Sequence, residues 1–376
     1  METQVTSPAV VVGSRFTLFL DTTGCVWGMG SNNMGQLGLG DFDERSTVTS
    51  VPRNSFPAPV IAIAAGVNHS LFLISSGAVF ATGDNSNGQL GIGTPNVWDN
   101  FHTPAKVQVP PVKSIYCGSY FSHFIDREGQ LWGCGDNTYG QLGILNASLT
   151  HRQTPTKIPK LSGIIKICGG ANHTLFLDGS GDVWKAGSGL FDGSNNTQEL
   201  RLRRLSIHGP IKSIAVGHFH NLFLRIDGTV LAYGNNQKGQ LGFDVQTRWS
   251  LAPEVIRGLP PIARIYAGNF QSFFIDLNGQ IWGCGRSING QLGIEAPTKG
   301  AVFLTKLPFS TNEECTIVSG DAHTILIEGN KVWGAGSNFN HQLGNFEDEQ
   351  INEFTPLAEV VLDPTTAVAV KSARTA

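Results

Sequence analysis

The 376-residue chain lacks several features that would assign it to common classes of protein. It contains no run of eighteen apolar residues, so no membrane-spanning helix is predicted. The first eight residues include neither a basic segment nor an apolar one; without a secretory signal, we expect a cytoplasmic or nuclear protein. Its 46 glycines and 18 prolines argue against long helices.

Excess charge is lacking too. Lysine and arginine together number 26, against 29 aspartate and glutamate residues, which gives a net charge of -3. Binding to nucleic-acid phosphates or to anionic lipid requires concentrated basic residues. The composition therefore predicts neither direct nucleic-acid binding nor membrane association, and a protein is the expected partner.

What the chain does contain is an internal repeat. The tetrapeptide Gly-Gln-Leu-Gly begins at residues 35, 88, 140, 239 and 290, and an altered copy begins at His341. The steps between copies are 53, 52, 99, 51 and 51 residues. The double step hides an altered fourth unit around residues 187–191, so seven units of about 51 residues are predicted.

A second motif precedes each tetrapeptide and supports the same period. It is a glycine followed three residues later by a histidine, an aromatic residue or a glutamine, and then by an apolar run. The seven glycines are Gly13, Gly66, Gly118, Gly170, Gly217, Gly268 and Gly320.

Each unit is expected to form four short antiparallel strands. In the third unit, apolar runs cover residues 113–117, 121–125 and 130–134, and residues 155–158 are predicted to form an outer strand. A unit of this size cannot bury both of its faces alone. Seven units are therefore expected to stack into an all-β, closed seven-bladed β-propeller of four-stranded antiparallel blades.

The propeller is predicted to be a single domain over residues 1–376, with the repeats within 9–361. The first unit must meet the last, and residues 366–370 are a candidate for an added strand at that junction. One position of the third strand is aromatic in six units, which indicates packing between blades.

The cysteines are also predicted to be packing residues. Cys134 and Cys284 occupy one position of the repeat, and Cys117 and Cys168 are assigned to another. Other units place Met29, Thr82, Ala186, Tyr233 and Ala335 at the first position, and alanine, valine or serine at the second. Such substitutions favour core packing over metal binding or redox chemistry.

The two motifs, in this order, resemble the regulator of chromosome condensation repeat. The segment Ala65-Gly66-Val67-Asn68-His69-Ser70, followed by Gly83-Asp84-Asn85-Ser86-Asn87-Gly88-Gln89-Leu90-Gly91, is similar to one family unit. The resemblance covers nearly the whole chain and implies a seven-bladed propeller. It leaves the function open, since family members serve in nucleotide exchange on the small GTPase Ran, as adaptor domains of ubiquitin ligases, and as inhibitors or scaffolds.

The resemblance also implies which loops would contact Ran. Exchange factors of the family use the loops between first and second strands, with an aspartate in the third and fourth loops and a histidine in the sixth. The matching positions here are Ser119, Asn172 and Gln271, and the nearest acid is Asp321 in the seventh loop. The protruding wedge of the family's third unit is absent from residues 135–140.

No catalytic site is predicted. Four histidines recur once per unit beside serine, threonine or asparagine, which indicates a structural hydrogen bond rather than Ser–His catalysis. The glycine-rich segments lack the Gly-Lys-Ser/Thr sequence of a phosphate-binding loop. We therefore expect a non-enzymatic protein with no cofactor and no metal.

Departures from the repeat are the candidate partner-binding residues, because the repeat itself states the structural requirement. Trp98 and Trp249 lie in long loops, and Tyr120, Phe219 and Phe270 are expected on the same face. Aromatic residues are enriched in binding hot spots. The alternative is that each loop tryptophan packs against its own blade.

The fourth unit departs in another way, since it carries Arg201, Arg203 and Arg204 close together. These arginines fit either an acidic partner segment or a solvated charge cluster.

Two functions follow. The first is a monomeric interaction propeller that binds a protein partner through loops on one face, with a Ran-like small GTPase as the candidate. The second is a guanine-nucleotide exchange factor for Ran, which would act by binding the nucleotide-free GTPase more tightly than the loaded form.

Overall fold

The computed structural model describes residues 9–93, 99–144, 150–159, 161–188, 202–243, 247–295, 300–311, 314–329 and 331–357. Within these ranges the chain forms β-strands and one short 3-10 helix, Arg53–Ser55. The strands are β1 Ala9–Val12, β2 Phe16–Leu20, β3 Val26–Gly30, β4 Arg45–Ser50, β5 Val60–Ala65, β6 His69–Ile74, β7 Val79–Gly83, β8 Phe101–Lys106, β9 Val112–Cys117, β10 Phe121–Asp126, β11 Leu131–Asp136, β12 His151–Ile158, β13 Ile164–Gly169, β14 His173–Asp178, β15 Val183–Gly187, β16 Arg203–Arg204, β17 Ile211–Val216, β18 His220–Arg225, β19 Val230–Asn235, β20 Trp249–Val255, β21 Ile262–Ala267, β22 Gln271–Asp276, β23 Gln280–Arg286, β24 Ala301–Ser310, β25 Cys315–Ser319, β26 His323–Glu328, β27 Lys331–Ser337 and β28 Gln350–Pro356.

These strands form seven separate four-stranded antiparallel sheets. Each sheet contains four consecutive strands in chain order, starting with β1-β2-β3-β4, so every blade is a simple meander. The predicted seven-bladed propeller is therefore confirmed. The candidate strand at residues 366–370 lies outside the described residues.

The meander gives the propeller two faces. The loops from first to second strand, and those from third to fourth strand, emerge on one face, which we call the upper face. The hairpins between second and third strands, and the links to the next blade, form the lower face. Both repeat motifs belong to upper-face loops and therefore meet there.

The third strand of the third blade shows why glycine recurs at its upper end. The register between β11 and β12 shifts between Gly133 and Gly135. Gly135 has a φ of +99°, and a Cβ there would lie 2.5 Å from the carbonyl oxygen of Tyr120. Glycine is required at this bulge because the strand passes directly beside the upper-face loop.

The hydrophobic core lies between blades rather than inside any one of them. Seven buried clusters occur, and each combines residues of two neighbouring blades. Between the second and third blades, Leu73 and Leu90 belong to one cluster with Ile115 and Phe124. Each blade thus depends on both neighbours to remove its apolar surface from water.

The junction between the last and first blades closes in the same way. Val10, Phe19 and Met29 of the first blade share a cluster with Ile325 and Leu343 of the last. In the part of the chain that the structure describes, no strand is exchanged across this junction. Side-chain packing closes the ring, together with the hydrogen bond from Thr17 Oγ1 to the Gln342 carbonyl at 2.8 Å.

The aromatic position of the third strand packs between blades as predicted, and a hydrogen bond fixes its tryptophan in four blades. Trp132 of β11 belongs to the cluster shared with the second blade, and its Nε1 donates to Asp126 Oδ2 at 2.9 Å. The equivalent donor and acceptor pairs are Trp27 with Asp21, Trp184 with Asp178 and Trp282 with Asp276.

The cysteines are free thiols within this packing. Cys134 and Cys284 are fully buried at one repeated position, and burial raises the pKa of Cys284 to about 12. The shared position predicted for Cys117 and Cys168 is wrong. Cys117 pairs with Ser122, whereas Cys168 lies one residue earlier in its strand, because Gly169 occupies the position of Cys117.

Candidate partner-binding face

Each Gly-x-x-His loop closes down on the ring of its own histidine. In the second blade a Cβ at Gly66 would lie 2.1 Å from Cε1 of His69, so only glycine allows this approach. His69 is fully buried, and its Nε2 lies 3.1 Å from Oγ of Ser122 in the third blade. The expected structural hydrogen bond is present, but it joins neighbouring blades rather than holding one loop.

We call the boundary between two neighbouring blades a seam. A single hydroxyl connects the two repeat motifs across the seam between the second and third blades. Ser122 Oγ donates to the carbonyl of Gln89 at 2.8 Å, while it also contacts His69. The equivalent hydroxyl donors, each to a Gly-Gln-Leu-Gly or His-Gln-Leu-Gly glutamine carbonyl of the preceding blade, are Thr17, Ser70, Thr174, Ser272 and Thr324. These buried hydroxyls serve the seams and form no nucleophile–base pair open to a substrate.

Burial also determines the protonation state of these histidines. It lowers the pKa of His69 to about 4, and those of His173, His220 and His323 to about 3. The rings are therefore neutral near neutral pH, and each acts in a seam as an uncharged hydrogen-bonding group.

The altered fourth unit changes this seam in a consistent way. It lacks the Gly-Gln-Leu-Gly sequence, and the fifth blade has Asn221 where the other blades place serine or threonine. Nε2 of His173 lies 2.8 Å from Oδ1 of Asn221. The fourth unit has thus lost the tetrapeptide, and the fifth blade has replaced the hydroxyl that would contact it with Asn221.

Main-chain hydrogen bonds join the centres of the upper-face loops. The amides of Ser14, Val67, Ser119, Ala171, His218 and Asn269 each donate to a carbonyl of the next loop, at 3.0–3.2 Å. The bonds surround a cavity of about 140 Å³ at the mouth of the central channel. Because only backbone atoms are used, the side chains of this rim can differ from blade to blade.

Blades five to seven place a cluster of aromatic and charged residues at this rim. The His218 ring centroid lies 4.8 Å from that of Phe219 and 5.7 Å from that of Phe270. The Arg286 guanidinium lies 5.9 Å from the Phe270 ring centroid, and its nitrogen is 3.7 Å from the Asp321 carboxylate. We call these five residues the rim cluster.

The rim cluster combines partly exposed aromatic rings with one cation and one anion. Burial lowers the pKa of His218, while the charge of Asp321 opposes that shift. Arg286 therefore supplies the positive charge of the cluster. Such a surface offers apolar contact together with directional polar contacts, a combination that is common in protein interfaces.

The structure does not bring together the three loop residues that the resemblance singled out. Ser119, Asn172 and Gln271 occupy the first, second and third positions after their glycines. Gln271 is fully buried in place of a blade histidine, and its amide donates to Ser319 Oγ at 2.6 Å and to the Gly320 carbonyl at 3.1 Å. Its burial is incompatible with a direct partner contact.

The remaining candidates lie at several places. Tyr120 is 37% exposed on the upper face, beside Ser119, which is only 8% exposed. Trp249 begins the outer strand β20 opposite Asn235, at the upper end of the fifth blade, and is half-buried. Trp98 lies outside the described residues.

The arginines of the fourth unit lie away from the rim. Arg203 and Arg204 form the exposed outer strand β16, and Arg204 pairs with Asp182 at the lower-face hairpin. Arg201 lies outside the described residues. The structure therefore groups only Phe219, Phe270 and Asp321 of the predicted set.

Sequence reasoning missed His218 and Arg286, although one signal was available. The position of Arg286 holds a serine, aspartate or asparagine in the other units: Ser31, Asp84, Asp136, Ser188, Asn235 and Ser337. A long cation at a position that otherwise holds a short polar side chain is a departure of the same kind as the loop tryptophans.

The described residues contain neither a metal site nor a membrane-spanning helix. They contain no group of three or more His, Cys, Asp or Glu side chains placed to hold a metal ion. No helix in the same ranges has the length and apolar character needed to span a bilayer.

The sequence matches the regulator of chromosome condensation (RCC1) repeat profile at residues 23–73, 76–125, 128–177 and 227–275. A second profile of the same repeat matches residues 9–36, 60–89, 112–141 and 211–240. The chain belongs to the RCC1 repeat family. The resemblance drawn from the two motifs is thereby confirmed.

Relatives within the RCC1 repeat family have different named functions. The chain is 29% identical over 302 residues to the probable E3 ubiquitin-protein ligase HERC6 of Homo sapiens, which covers 72% of this chain and 27% of that protein. It is 27% identical over 386 residues to the guanine nucleotide exchange factor SRM1 of Saccharomyces cerevisiae, which covers 86% of this chain and 80% of that protein.

A solved structure of the RCC1 repeat family has the same architecture. The crystal structure of Prp20p from Saccharomyces cerevisiae, described with its binding properties to Gsp1p and histones, has a TM-score of 0.76 and 25% identity. The match covers 93% of this chain and 87% of that chain.

Proposed function

We propose that this RCC1-repeat propeller binds a small GTPase of the Ran type through its upper face. The observation that carries the proposal is the rim cluster, where Phe219 and Phe270 are half-buried beside the Arg286–Asp321 ion pair. Aromatic and arginine side chains at the centre of an interface supply much of its binding energy. Support for the class of partner comes from the similarity to SRM1 and to Prp20p.

Exchange activity is the second candidate function. It requires no bond chemistry, because a protein that binds the nucleotide-free GTPase more tightly than the loaded form accelerates nucleotide release. The similarity to a named exchange factor over most of both chains favours it. On this rim Asp321 is the acid available to a basic GTPase surface, and Arg286 holds its position.

The proposal is tested by measuring binding of the protein to immobilised Ran, both loaded with GDP and nucleotide-free. We expect Phe270→Ala to weaken binding about tenfold, because a ring at the centre of the contact is lost. The matched control is Leu277→Ala, which removes a 72% exposed apolar side chain from a lower-face hairpin. Its affinity should equal that of the wild type.

Release of labelled GDP from the same GTPase separates the two candidates. Accelerated release that is reduced in Phe270→Ala would establish exchange through the rim. Binding without acceleration would establish an interaction propeller. Absence of binding to Ran and to related small GTPases, or an equal loss in the two variants, would contradict the proposal.

A further inference from the structure

Charge is distributed unequally between the two faces. The described upper-face loops contain ten acidic residues and three basic ones, Arg15, Lys238 and Arg248. The strand ends at this face add Asp136, Arg45, Arg152 and Arg286. The described lower-face hairpins and links contain five acidic and three basic residues. The small net charge of the chain therefore conceals an acidic upper face.

The acidic residues are concentrated where the seventh blade meets the first. The long upper-face loops there, residues 31–44 and 338–349, contain no lysine or arginine; Arg45, the first residue of β4, pairs with Asp41 and leaves the other acids of the loops without a basic partner in the same loops. Asp43 and Glu44 are exposed in one loop, and residues 347–349 are exposed acids in the other. Asn340 Nδ2 donates to Glu44 Oε2 at 3.1 Å, so the two loops are in direct contact.

The same two loops expose aromatic rings. Phe339 is 66% exposed and Phe42 is 44% exposed. Phe42 is oriented by an edge-on contact with His102, whose ring centroid lies 4.8 Å away. At the position of Phe339 four units have a polar residue, namely Asn33, Ser86, Thr138 and Gln237, and the sixth has the exposed Ile288. The exposed ring is thus a departure from the repeat that packing does not require.

The backbone beside Phe339 is strained as well. His341 has a φ of 53° and is the only non-glycine residue with a positive φ in the described ranges, whereas five other units have glycine at this position. A non-glycine residue in this conformation costs about 1 kcal/mol or more. The strained turn therefore lies in the loop that exposes Phe339.

We propose that this 7–1 edge, formed by Phe42, Asp43, Glu44, Phe339 and residues 347–349, docks a basic protein segment that carries an apolar side chain. Charge complementarity determines the occupant. Lysine or arginine side chains would face the exposed carboxylates, and an apolar side chain would cover the two phenylalanine rings. The edge shares a face with the rim cluster, and in the seventh blade, which both surfaces use, it lies on a different loop from Asp321. The inference therefore does not depend on a GTPase as partner.

The probes are short fluorescein-labelled peptides whose binding to the full chain is followed by anisotropy. One peptide alternates lysine with leucine, the second replaces each lysine with glutamate, and the third replaces each leucine with glycine. We expect only the lysine–leucine peptide to bind, and to bind more weakly as ionic strength rises. Phe339→Ala should weaken its binding about tenfold.

Charge variants test the electrostatic part. The double substitution Glu347→Lys and Glu349→Lys should also weaken binding of the lysine–leucine peptide at least tenfold. The matched controls on the lower face are Asp227→Lys and Leu277→Ala, both at exposed hairpin positions, and they should leave it unchanged.

Several outcomes would overturn the inference: no binding of the lysine–leucine peptide, equal binding of the glutamate peptide, or equal binding of the glycine peptide. An unchanged affinity in both edge variants would do the same. Ran binding without peptide binding would refute only this inference, and peptide binding without GTPase binding would refute only the proposed function.

Discussion

The role of a position that is repeated in all seven blades can be inferred by comparing the residues that occupy it. Four blades place a buried histidine after the loop glycine, and the sixth blade places Gln271 there, also fully buried. Both side chains make a hydrogen bond to the next blade. Where the position is polar, it therefore holds a neutral group that spans a seam, whereas the first and third blades fill it with the buried rings of Phe16 and Phe121. A basic imidazole brings a sensitivity to acid that an amide avoids.

Replacing His220 with glutamine should reduce the sensitivity of the fold to acid. Burial holds the pKa of His220 at about 3, whereas an unfolded histidine titrates near about 6.5. Between these values the unfolded chain binds a proton that the folded chain does not. Above the unfolded pKa the histidine is neutral in both states, so its contribution to the free energy of unfolding does not change with pH. As the pH falls from the unfolded towards the folded pKa, protonation of the unfolded chain lowers the stability of the fold.

The measurement is urea unfolding of wild type and His220→Gln at a series of pH values from about 7 to about 4. We expect the variant to lose less stability over this range, since its amide can donate to Ser272 as Gln271 donates to Ser319. His151→Gln, at an exposed position, is the matched control, and its free energy of unfolding should vary with pH as that of the wild type does. If the free energy of unfolding changes with pH equally in His220→Gln and in the wild type, then His220 does not contribute to the sensitivity of the fold to acid.

At this scale the sequence predicted the identity of the repeated residues better than their exposure. The recurrence of histidine indicated a structural role, and the structure supports it. Gln271 was a candidate contact because its blade had lost the histidine, yet the amide fills the same buried position. The sequence alone does not show whether the residue that replaces a histidine is exposed to a partner or makes the same buried hydrogen bond.

At the scale of the element, the tryptophan of the third strand and the aspartate that ends the second strand act together. Asp126 accepts the indole hydrogen bond of Trp132 and also the amide hydrogen bonds of Glu128 and Gln130. Where the aromatic position holds Phe80 or Leu231, the aspartate is replaced by Ile74 or Arg225. The carboxylate thus shapes the hairpin and fixes the ring that packs against the preceding blade.

Asp126→Ala should therefore destabilise the protein by about 3 kcal/mol, because a buried charged acceptor is removed and three donors lose their partner. Chemical denaturation followed by tryptophan fluorescence measures the change in the free energy of unfolding. Asp227→Ala removes an exposed aspartate from the equivalent hairpin of the fifth blade and should cost less than about 1 kcal/mol. Equal costs would mean that the indole bond contributes little.

The elements themselves were predicted with unequal success. In the third unit the inner three strands were predicted to within a residue or two, because their apolar side chains form continuous runs that are buried in the propeller. The outer strand was predicted from residue 155 but begins at His151, and β16 has only two residues. Outer strands have solvent on one edge and weak apolar patterning, so their ends are set by pairing rather than by burial.

At the scale of the whole molecule, the seven seams differ at the ring closure. Six main-chain hydrogen bonds join the upper-face loops from the first blade to the seventh. Among the described residues no such bond joins Asp321 of the seventh loop to the first loop. The His323 contact with Thr17 is also long, at 3.4 Å, against 2.8–3.1 Å at the other histidine seams.

The amide of Asp321 should consequently exchange with solvent faster than the amide of Asn269, which donates to the Gly320 carbonyl at 3.2 Å. Residue-resolved hydrogen exchange measures both, and the amide of His218, bonded to the Asn269 carbonyl at 3.0 Å, is the internal reference. Equal protection of the Asp321 and Asn269 amides would show that the closing seam is as tightly held as the others.

The repeat period predicted the number of blades and the architecture, since neither depends on any single side chain. The rim cluster could not be predicted in the same way, because it is made by residues that break the repeat in three successive blades. Phe219 and Phe270 were predicted as aromatic surface of the loop face, and Asp321 as the nearest acid to the loops that the resemblance singled out. Their proximity to His218 and Arg286 depends on the curvature of the ring, which the sequence does not encode locally.

The six main-chain bonds between the upper-face loops hold the scaffold together without using the side chains that would contact a partner. The residue after each loop glycine is serine, valine, serine, alanine, histidine, asparagine or aspartate, around one circle. Since the bonds that join these loops are indifferent to the side chain, mutations there can accumulate with little cost to folding. A lineage could exchange one binding specificity for another at these seven positions without redesigning its architecture, and a protein engineer could randomise the same positions on an intact ring.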